Sequence, residues 1–301
     1  MEIFIQQMTN GLAVGGIYAL IALGYTMVYG VLKLINFAHG ELFTLGAYLG
    51  FTLLVSLGLS GRVGSVPAAL IAVVMVMGLS ALAGYLLERT AYRPLRHSGR
   101  LSAVVSALGA SIFFQNAVML VWGGRYRAYP ADLIPGFAIE FAGQHIPFLR
   151  LAVLAASVGI MLALYFFIHR TRMGAAIRAS AIDQGAAKLM GIDVRRVISI
   201  VFMIGPALGG LAGVMVGVYY GQINFNMGQI YGLKAFTAAI IGGIGNIPGA
   251  MVGGLLLGLV EAFGGAYVSL AWRDAITFLA LIVILAARPT GILRERVAEK
   301  L

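Results

Sequence analysis

Long hydrophobic runs alternate with short polar connections along the whole chain. The runs cover about residues 9–31, 42–60, 66–87, 101–122, 150–169, 197–220, 234–265 and 272–287. Most of them approach or exceed the roughly 20 apolar residues that a helix needs to cross the hydrocarbon core of a bilayer. The chain lacks the period-two alternation, in units of about 10 residues, that is typical of a transmembrane β-barrel. The pattern predicts an all-α polytopic membrane protein with about eight hydrophobic segments.

Composition strengthens this prediction and removes several kinds of site. Hydrophobic residues make up 60% of the 301 residues, and a soluble helical core cannot hide so many full-length apolar runs. The chain contains no cysteine, which excludes disulfides and thiolate metal sites. The four histidines, at 39, 97, 145 and 169, show no metal-ligand spacing. No Lys or Arg precedes the first apolar run, so it lacks the charged start of a signal peptide and we expect it to be retained. We expect neither a metal nor a cofactor.

The net charge of +10 is concentrated in short connections between the runs. Three of these are basic, at 88–100, 169–196 and 288–301. Basic connections face the cytoplasm in membrane proteins, so the charge predicts topology rather than nucleic-acid binding. The N-terminus is then outside and the C-terminus inside. The connection 123–149 falls outside, where its strand-like "FAIEF" suits a small external cap.

Two interruptions of the hydrophobic pattern predict broken helices. Residues near 223 are predicted outside, the tail is predicted inside and 272–287 crosses once, so 234–265 must cross the membrane an even number of times. Its middle, "IIGGIGNIPGAMVGG", combines Pro248 with helix-weakening glycines. It therefore forms a broken hairpin, either re-entrant or of two short spans. The second interruption is "KLINFAHGELFTLG" after the first run. Irregular backbone at membrane depth needs protein or a water-filled cavity around its polar groups. We therefore predict that the translocation pathway is flanked by Asn36, His39, Glu41, Gly245 and Asn246.

Other polar and small residues have simpler interpretations. Glu41 has the alternative of beginning a helix at the cytoplasmic boundary, where the helix dipole favours an acid. Glu261 is expected to pair with Arg273 near the outer surface. Gly209, Gly213 and Gly217 recur at close-packing spacing, which suits helix packing within the chain or, as the alternative, a subunit interface.

Enzyme motifs are missing from the chain. It contains no G-x-x-x-x-G-K-[ST], no G-x-G-x-x-G after a strand, no H-E-x-x-H and no G-x-S-x-G. The chain is therefore not expected to be an enzyme or to hydrolyse ATP. Carboxylates within the hydrophobic runs are also few, which counts against an ion-driven carrier.

The stretch "SAIDQGAAKLMG", residues 180–191, predicts a short amphipathic helix inside a basic connection. Ser180 and Asp183 have the spacing of a capping box, and Gly191 suits the position after the helix. An apolar stripe at helical spacing lies between them, formed by Ile182, Ala186, Leu189 and Met190. A helix of this length can neither span the membrane nor bury a core of its own. The stripe must therefore rest on the membrane surface or on another protein.

The chain resembles a known family. "RASAIDQGAAKLMGID" is similar to the cytoplasmic coupling ("EAA") loop of bacterial ABC importer permeases, although Gln184 and Gly185 stand where the family usually has a Glu. Four further stretches resemble the LivH-type permease family of branched-chain amino-acid importers: "IYALIALGYTMVYGVLKLINFAHGELFTLGAY", "ERTAYRPLR", "LKAFTAAIIGGIGNIPGAMVGGLLLGLVEA" and "RPTGIL". The likeness runs from about residue 8 to residue 294.

The resemblance implies a single transmembrane permease domain over 1–301 with the ABC importer permease fold, a coupling loop at about 170–196 and an external loop at about 123–149. It implies a LivM-like second permease, two cytoplasmic ABC ATPases, an extracytoplasmic substrate-binding protein and a place in the bacterial inner membrane. Leucine, isoleucine and valine would be the substrates. The residues implied to couple to the ATPases are Asp183, Ala186, Ala187, Leu189, Met190 and Gly191.

Other functions remain as alternatives at the level of sequence. The same type of permease could serve urea, short amides or other amino acids. An ion-coupled secondary transporter or a passive channel would also show broken helices, but neither needs the 180–191 helix.

Overall fold

The computed structural model describes residues 2–56, 65–95, 99–129, 137–141 and 144–293. Eleven α-helices follow one another in these ranges. They are α1 (Glu2–Leu32), α2 (His39–Phe51), α3 (Ser65–Leu87), α4 (Arg100–Trp122), α5 (Phe148–Arg170), α6 (Arg172–Ile182), α7 (Gln184–Leu189), α8 (Val194–Tyr220), α9 (Met227–Gly242), α10 (Ile247–Tyr267) and α11 (Arg273–Ala287). A π-helical turn extends α2 over Thr52–Ser56, and another extends α3 over Glu88–Tyr92.

The helices confirm the prediction of an all-α polytopic membrane protein. Within the described ranges, six helices are long and apolar enough to cross a membrane: α1, α3 with its π turn, α4, α5, α8 and α10. The remaining predicted segments correspond to the shorter helices α2, α9 and α11, with 13, 16 and 15 residues. The segment 234–265 is divided between α9 and α10, so the predicted broken hairpin is correct. Residues 57–60 of the predicted second segment lie outside the described residues.

Four short strands in the described ranges lie outside the helix bundle. β2 (Ala138–Phe141) and β3 (Gln144–Pro147) form an antiparallel hairpin, which confirms the strand predicted from "FAIEF". β1 (Arg127–Ala128) pairs with β4 (Gln222–Ile223) directly after α8. The neighbouring Tyr129 is buried and its hydroxyl donates to the carbonyl oxygen of Ala47 in α2. Burial raises the pKa of the Tyr129 phenol above its ordinary value, so the phenol stays protonated as a donor.

The core is built around α1 and α8. α1 is buried along most of its length and packs against α10, α8, α5 and α9, whereas α8 also contacts α2 and α3. Glycines allow this close approach. A Cβ at Gly213 would meet the Phe43 carbonyl oxygen at 2.3 Å, and one at Gly217 would meet the Tyr129 ring at 2.5 Å. These glycines therefore pack helices within the chain, as the first of the two interpretations predicted.

Long-range hydrogen bonds divide the bundle into two ends. The basic end contains the last residues of α1, the end of α3, the α6–α7 region, the start of α8, the α9–α10 turn and residues 288–293. Its members are joined by hydrogen bonds from Gln184 to Val31, from Ser199 to Glu88 and from Ile292 to Ile241. The opposite end is held by bonds from Trp122 to Thr52 and from Tyr129 to Ala47. The basic connections thus share one end, as the charge pattern predicted, and we expect this end to face the cytoplasm.

Cysteine labelling tests this orientation directly, because the chain contains no cysteine of its own. Lys188 is exposed at the basic end and Tyr126 is exposed at the opposite end. In intact cells, a membrane-impermeant thiol reagent should label Tyr126→Cys and leave Lys188→Cys unmodified until the membrane is opened. The opposite labelling pattern would invert the topology.

Candidate coupling surface and translocation pathway

The predicted coupling helix is the shorter of two helices that meet at Asp183. The backbone of Asp183 is extended, with φ −149° and ψ 114°, which ends α6 and starts α7. Its Oδ1 accepts hydrogen bonds from the backbone N–H groups of Gly185 at 2.7 Å and Ala186 at 3.1 Å. These bonds satisfy donors at the start of α7 that have no partner within the helix. Asp183 is therefore the N-cap of the predicted coupling helix.

The two ends of the predicted 180–191 helix differ in how well the sequence anticipated them. The prediction that Ser180 caps it is wrong, because Ser180 is buried within α6 and the helix begins four residues later. The reason is that α6 uses Thr171 as its own cap and continues through Ser180 to Ile182. At the other end, Gly191 has φ +80°, the left-handed conformation expected of a glycine that follows a helix.

The apolar stripe of this region is exposed. Ile182, Leu189 and Met190 are 67%, 90% and 82% exposed, and Ala186 is also exposed. Ala187 has the opposite placement, since it is only 4% exposed and belongs to the chain's own core. Among the predicted coupling residues, Ala186, Leu189 and Met190 thus form an exposed surface, which Ile182 at the end of α6 extends, whereas Ala187 is a buried anchor.

The coupling surface is attached to the helix bundle through its other face. The Gln184 side-chain amide donates to the carbonyl oxygen of Val31, near the end of α1, at 2.7 Å. Arg178 in α6 donates to the carbonyl oxygen of Ile168 in α5. α7 is thereby joined to the end of α1, which has the largest buried share of the six candidate membrane spans.

The polar residues of the first interruption lie together where the chain returns from α1 into α2. Oδ1 of Asn36 accepts from the Tyr92 hydroxyl at 2.8 Å and from the backbone N–H of Ala38 at 3.1 Å. The His39 ring is fully buried, with Nε2 at 3.2 Å from the carbonyl oxygen of Ile21 in the middle of α1. α2 thus begins inside the bundle rather than at its surface, which explains why the chain breaks there.

Glu41 lies in the first turn of α2 and lines a cavity of about 170 Å³ between α1, α2, α4 and α9. Glu41 is 3% exposed. Gly228 of α9 makes room for the carboxylate, because a Cβ there would lie 2.8 Å from Oε2 of Glu41. Glu41 lies in the first turn of α2, as the alternative of a helix-starting acid predicted, and it is buried there.

Gly245 and Asn246 occupy a different place, in the α9–α10 turn at the basic end. Gly245 has φ +93°. Asn246 caps α10 by accepting from the backbone N–H of Gly249, and its Nδ2 donates to the carbonyl oxygen of Leu293 at 2.7 Å. The structure brings together Asn36, His39 and Glu41. Gly245 and Asn246 lie apart from them in the α9–α10 turn, which Asn246 joins to Leu293.

Comparison with known proteins assigns the family. The family model described as "Branched-chain amino acid transport system / permease component" matches residues 7–285. The chain belongs to this permease family. It is 45% identical to the high-affinity branched-chain amino acid transport system permease protein BraD of Pseudomonas aeruginosa over 303 residues, covering 99% of this chain and 98% of the relative. It is 45% identical to the LivH protein of the same description from Salmonella typhimurium, covering 99% and 97%, and 44% identical to that of Escherichia coli K12, also covering 99% and 97%. No solved structure matched the chain.

The family assignment states what kind of protein this permease is and what kind of system it belongs to. This permease is a multi-pass membrane protein of an ABC transport system and a transport subunit rather than an enzyme. Such a system implies ABC partner subunits beside the permease. The resemblance from which the sequence analysis drew its coupling residues and partners is thereby confirmed at the level of family.

A buried charged cluster near the opposite end of the permease was only partly anticipated. The predicted pair of Glu261 and Arg273 is present, with Nε at 2.9 Å from Oε1. Lys234 was missed: its Nζ lies 2.9 Å from Oε1 of Glu261 and 2.7 Å from Oδ1 of Asp274. The Tyr18 hydroxyl donates to Oε2 of Glu261 at 2.7 Å. The sequence does contain a signal for this interaction, because Lys234 is a single lysine at an apolar run and a charge in such a place needs a partner.

Proposed function

We propose that this permease carries leucine, isoleucine and valine across the inner membrane of a bacterium, as one subunit of an ATP-driven importer. The similarity to branched-chain amino acid permeases extends over nearly the whole chain. The exposed apolar surface of α7 is the observation that carries the proposal. A permease moved by separate ATPases needs a contact surface for them at the cytoplasmic end, and an ion-driven carrier or a channel does not.

The proposed partners follow from the two ends of the molecule. Two cytoplasmic ABC ATPases bind at the basic end, one of them covering Ile182, Ala186, Leu189 and Met190. An extracytoplasmic binding protein delivers the amino acid at the opposite end. A LivM-like second permease completes the membrane unit beside this chain. The full-length similarity to permeases of branched-chain amino acid transport systems supports the last assignment.

The proposed pathway runs past the first interruption. Asn36, His39 and Glu41 line it at membrane depth, and Gly245 and Asn246 flank it at the basic end. The cavity beside Glu41 supports this route, because irregular backbone and a buried acid are stable at that depth only next to protein or water. Hydrolysis at the ATPases would reach the pathway through α7 and the end of α1, which the Gln184–Val31 hydrogen bond connects.

Uptake into proteoliposomes tests the proposal. The complete importer, with its binding protein, should accumulate radiolabelled leucine only when ATP is present on the side of the ATPases. The permease without its partners should not accumulate leucine under a sodium or proton gradient, which serves as the matched control. Gradient-driven accumulation by the permease alone would establish a secondary transporter instead. ATP-dependent uptake of urea or amides without leucine uptake would overturn the substrate assignment.

A further inference from the structure

Glu41 lines the cavity, and its carboxylate has an unused hydrogen-bond acceptor. Oε2 of Glu41 is buried and has no hydrogen-bond partner among the described residues. The cavity-lining residues that the structure describes include no lysine, arginine or histidine. A buried carboxylate is unfavourable unless it is paired and hydrogen-bonded. The site is therefore complementary to a cationic donor that arrives from outside the chain.

The rest of the cavity has two kinds of wall. Ser111 of α4 and Gln229 of α9 contribute polar groups, and Phe37, Leu233 and Phe236 contribute an apolar surface. A water molecule needs about 10–15 Å³ of such space, so a cavity of about 170 Å³ accepts a solute of several heavy atoms. One carboxylate beside apolar walls does not supply the six or more oxygen ligands of a hard metal ion.

We propose that this cavity is a membrane-depth subsite for an aliphatic amino acid, in which Glu41 binds the α-ammonium group and Phe37, Leu233 and Phe236 contact the aliphatic side chain. An ammonium group has three donors, and Glu41 has the free acceptor to receive one of them. This inference rests on the proposed transport of amino acids and adds a second point of selection after the binding protein. An uncharged solute would gain hydrogen bonds from the carboxylate but not the charge pairing that an ammonium group gains.

Gly228 keeps the acid available. A Cβ at this position would meet Oγ1 of Thr44 at 2.4 Å, the backbone carbonyl oxygen of Gly40 at 2.5 Å and Oε2 of Glu41 at 2.8 Å, so any larger residue moves α9 away from α2 and displaces the carboxylate. The glycine thus allows α9 to pass close to α2 and to the carboxylate of Glu41. Gly228→Ala should therefore reduce binding of the ammonium group even though it retains Glu41.

Thiol labelling inside the cavity tests the subsite without depending on transport. Ser111→Cys gives this chain a single cysteine on the cavity wall, in a complete importer whose other subunits have their cysteines replaced by serine. The rates of reaction with aminoethyl and hydroxyethyl methanethiosulfonate are compared, and the ratio is normalised to that of Tyr126→Cys at the exposed end. The cationic reagent should be favoured at least about fivefold, and Glu41→Gln should remove the preference. An unchanged rate with the neutral reagent shows that the Glu41→Gln cavity is intact.

Competition and uptake distinguish the remaining outcomes. Leucine should slow the labelling of Ser111→Cys with Glu41 present and not with Glu41→Gln. Uptake of leucine should fall at least about tenfold in Glu41→Gln, be partly retained in Glu41→Asp, and be unaffected in the control Glu140→Gln, an exposed acid of the external hairpin. A cation preference that persists in Glu41→Gln overturns the subsite, as does labelling that sodium slows and leucine does not. If the importer with Glu41 intact accumulates no leucine while the preference is present, the proposed transport function fails and the ammonium subsite stands.

Discussion

Leu189→Asp is expected to abolish co-purification of the ATPases and ATP-driven uptake while leaving the permease inserted and folded. Leu189 is 90% exposed, so the substitution removes almost no contact within the chain and should change its stability by less than about 0.5 kcal/mol. In the proposed complex the same side chain is buried in the ATPase. The lost burial alone costs about 2 kcal/mol, roughly thirtyfold in affinity, and an unpaired carboxylate in an apolar groove costs more.

Three further variants separate docking from folding. Lys188→Gln, exposed next to Leu189, should retain both the ATPases and uptake. Ala186 and Ala187 form a matched pair of neighbours: Ala186→Trp should disrupt docking only, whereas Ala187→Trp should disturb the fold, because Ala187 is buried in the core. Tagged permease is purified from membranes and its bound ATPases are quantified. Normal ATPase recovery and uptake by Leu189→Asp would show that α7 is not the coupling element.

Glu261→Ala is expected to destabilise the permease by about 3–5 kcal/mol, because it leaves the buried Lys234 ammonium without its buried partner. The side chains of Lys234 and Glu261 are only 4% and 3% exposed, and Asp274, which remains, is 57% exposed. The Tyr18 hydroxyl also loses the carboxylate to which it donates. The free energy of unfolding is measured by denaturant titration in mixed micelles.

A paired substitution provides the control for this cluster. Lys234→Met with Glu261→Gln removes both buried charges and preserves their volumes, so it should recover most of the stability lost in Glu261→Ala. Arg273 and Asp274 remain partly exposed and can be solvated in the double variant. Equal stability of Glu261→Ala and the unaltered chain would mean that Lys234 finds compensation elsewhere.

Most of the candidate coupling surface could be predicted from the sequence. Ala186, Leu189 and Met190 follow helical spacing along α7, and Gly191 follows in a conformation that glycine readily adopts. The placing of Ile182 on the same helix was wrong, because Ile182 ends α6 and the extended backbone of Asp183 separates it from α7. The sequence did not locate the cap, because Ser180 and Asp183 both suit that position and the choice depends on where α6 ends. It also did not distinguish Ala186 from Ala187, because two small adjacent residues differ only in which one the bundle covers.

Residues that act through distant partners were harder to predict. Glu261 and Arg273 were paired correctly because they lie 12 positions apart on consecutive helices. Lys234 was missed, since its partners Glu261 and Asp274 lie on two later helices. Asn246 was assigned to the pathway from its irregular surroundings, and the structure adds bonds to Gly249 and Leu293 that hold the turn.

Hydrophobic run length, charge and local capping are enough to predict that this protein is a polytopic helical membrane protein, that its basic connections share one end, and that one short helix is left without an apolar partner. These signals act over a few turns of one helix. The packing of distant helices is what brings Lys234 to Glu261, turns Ala187 inward and places Glu41 beside a cavity. Tyr18 and Glu261 lie 243 positions apart. Their contact depends on how α1 and α10 pack, and a local sequence pattern does not predict that packing.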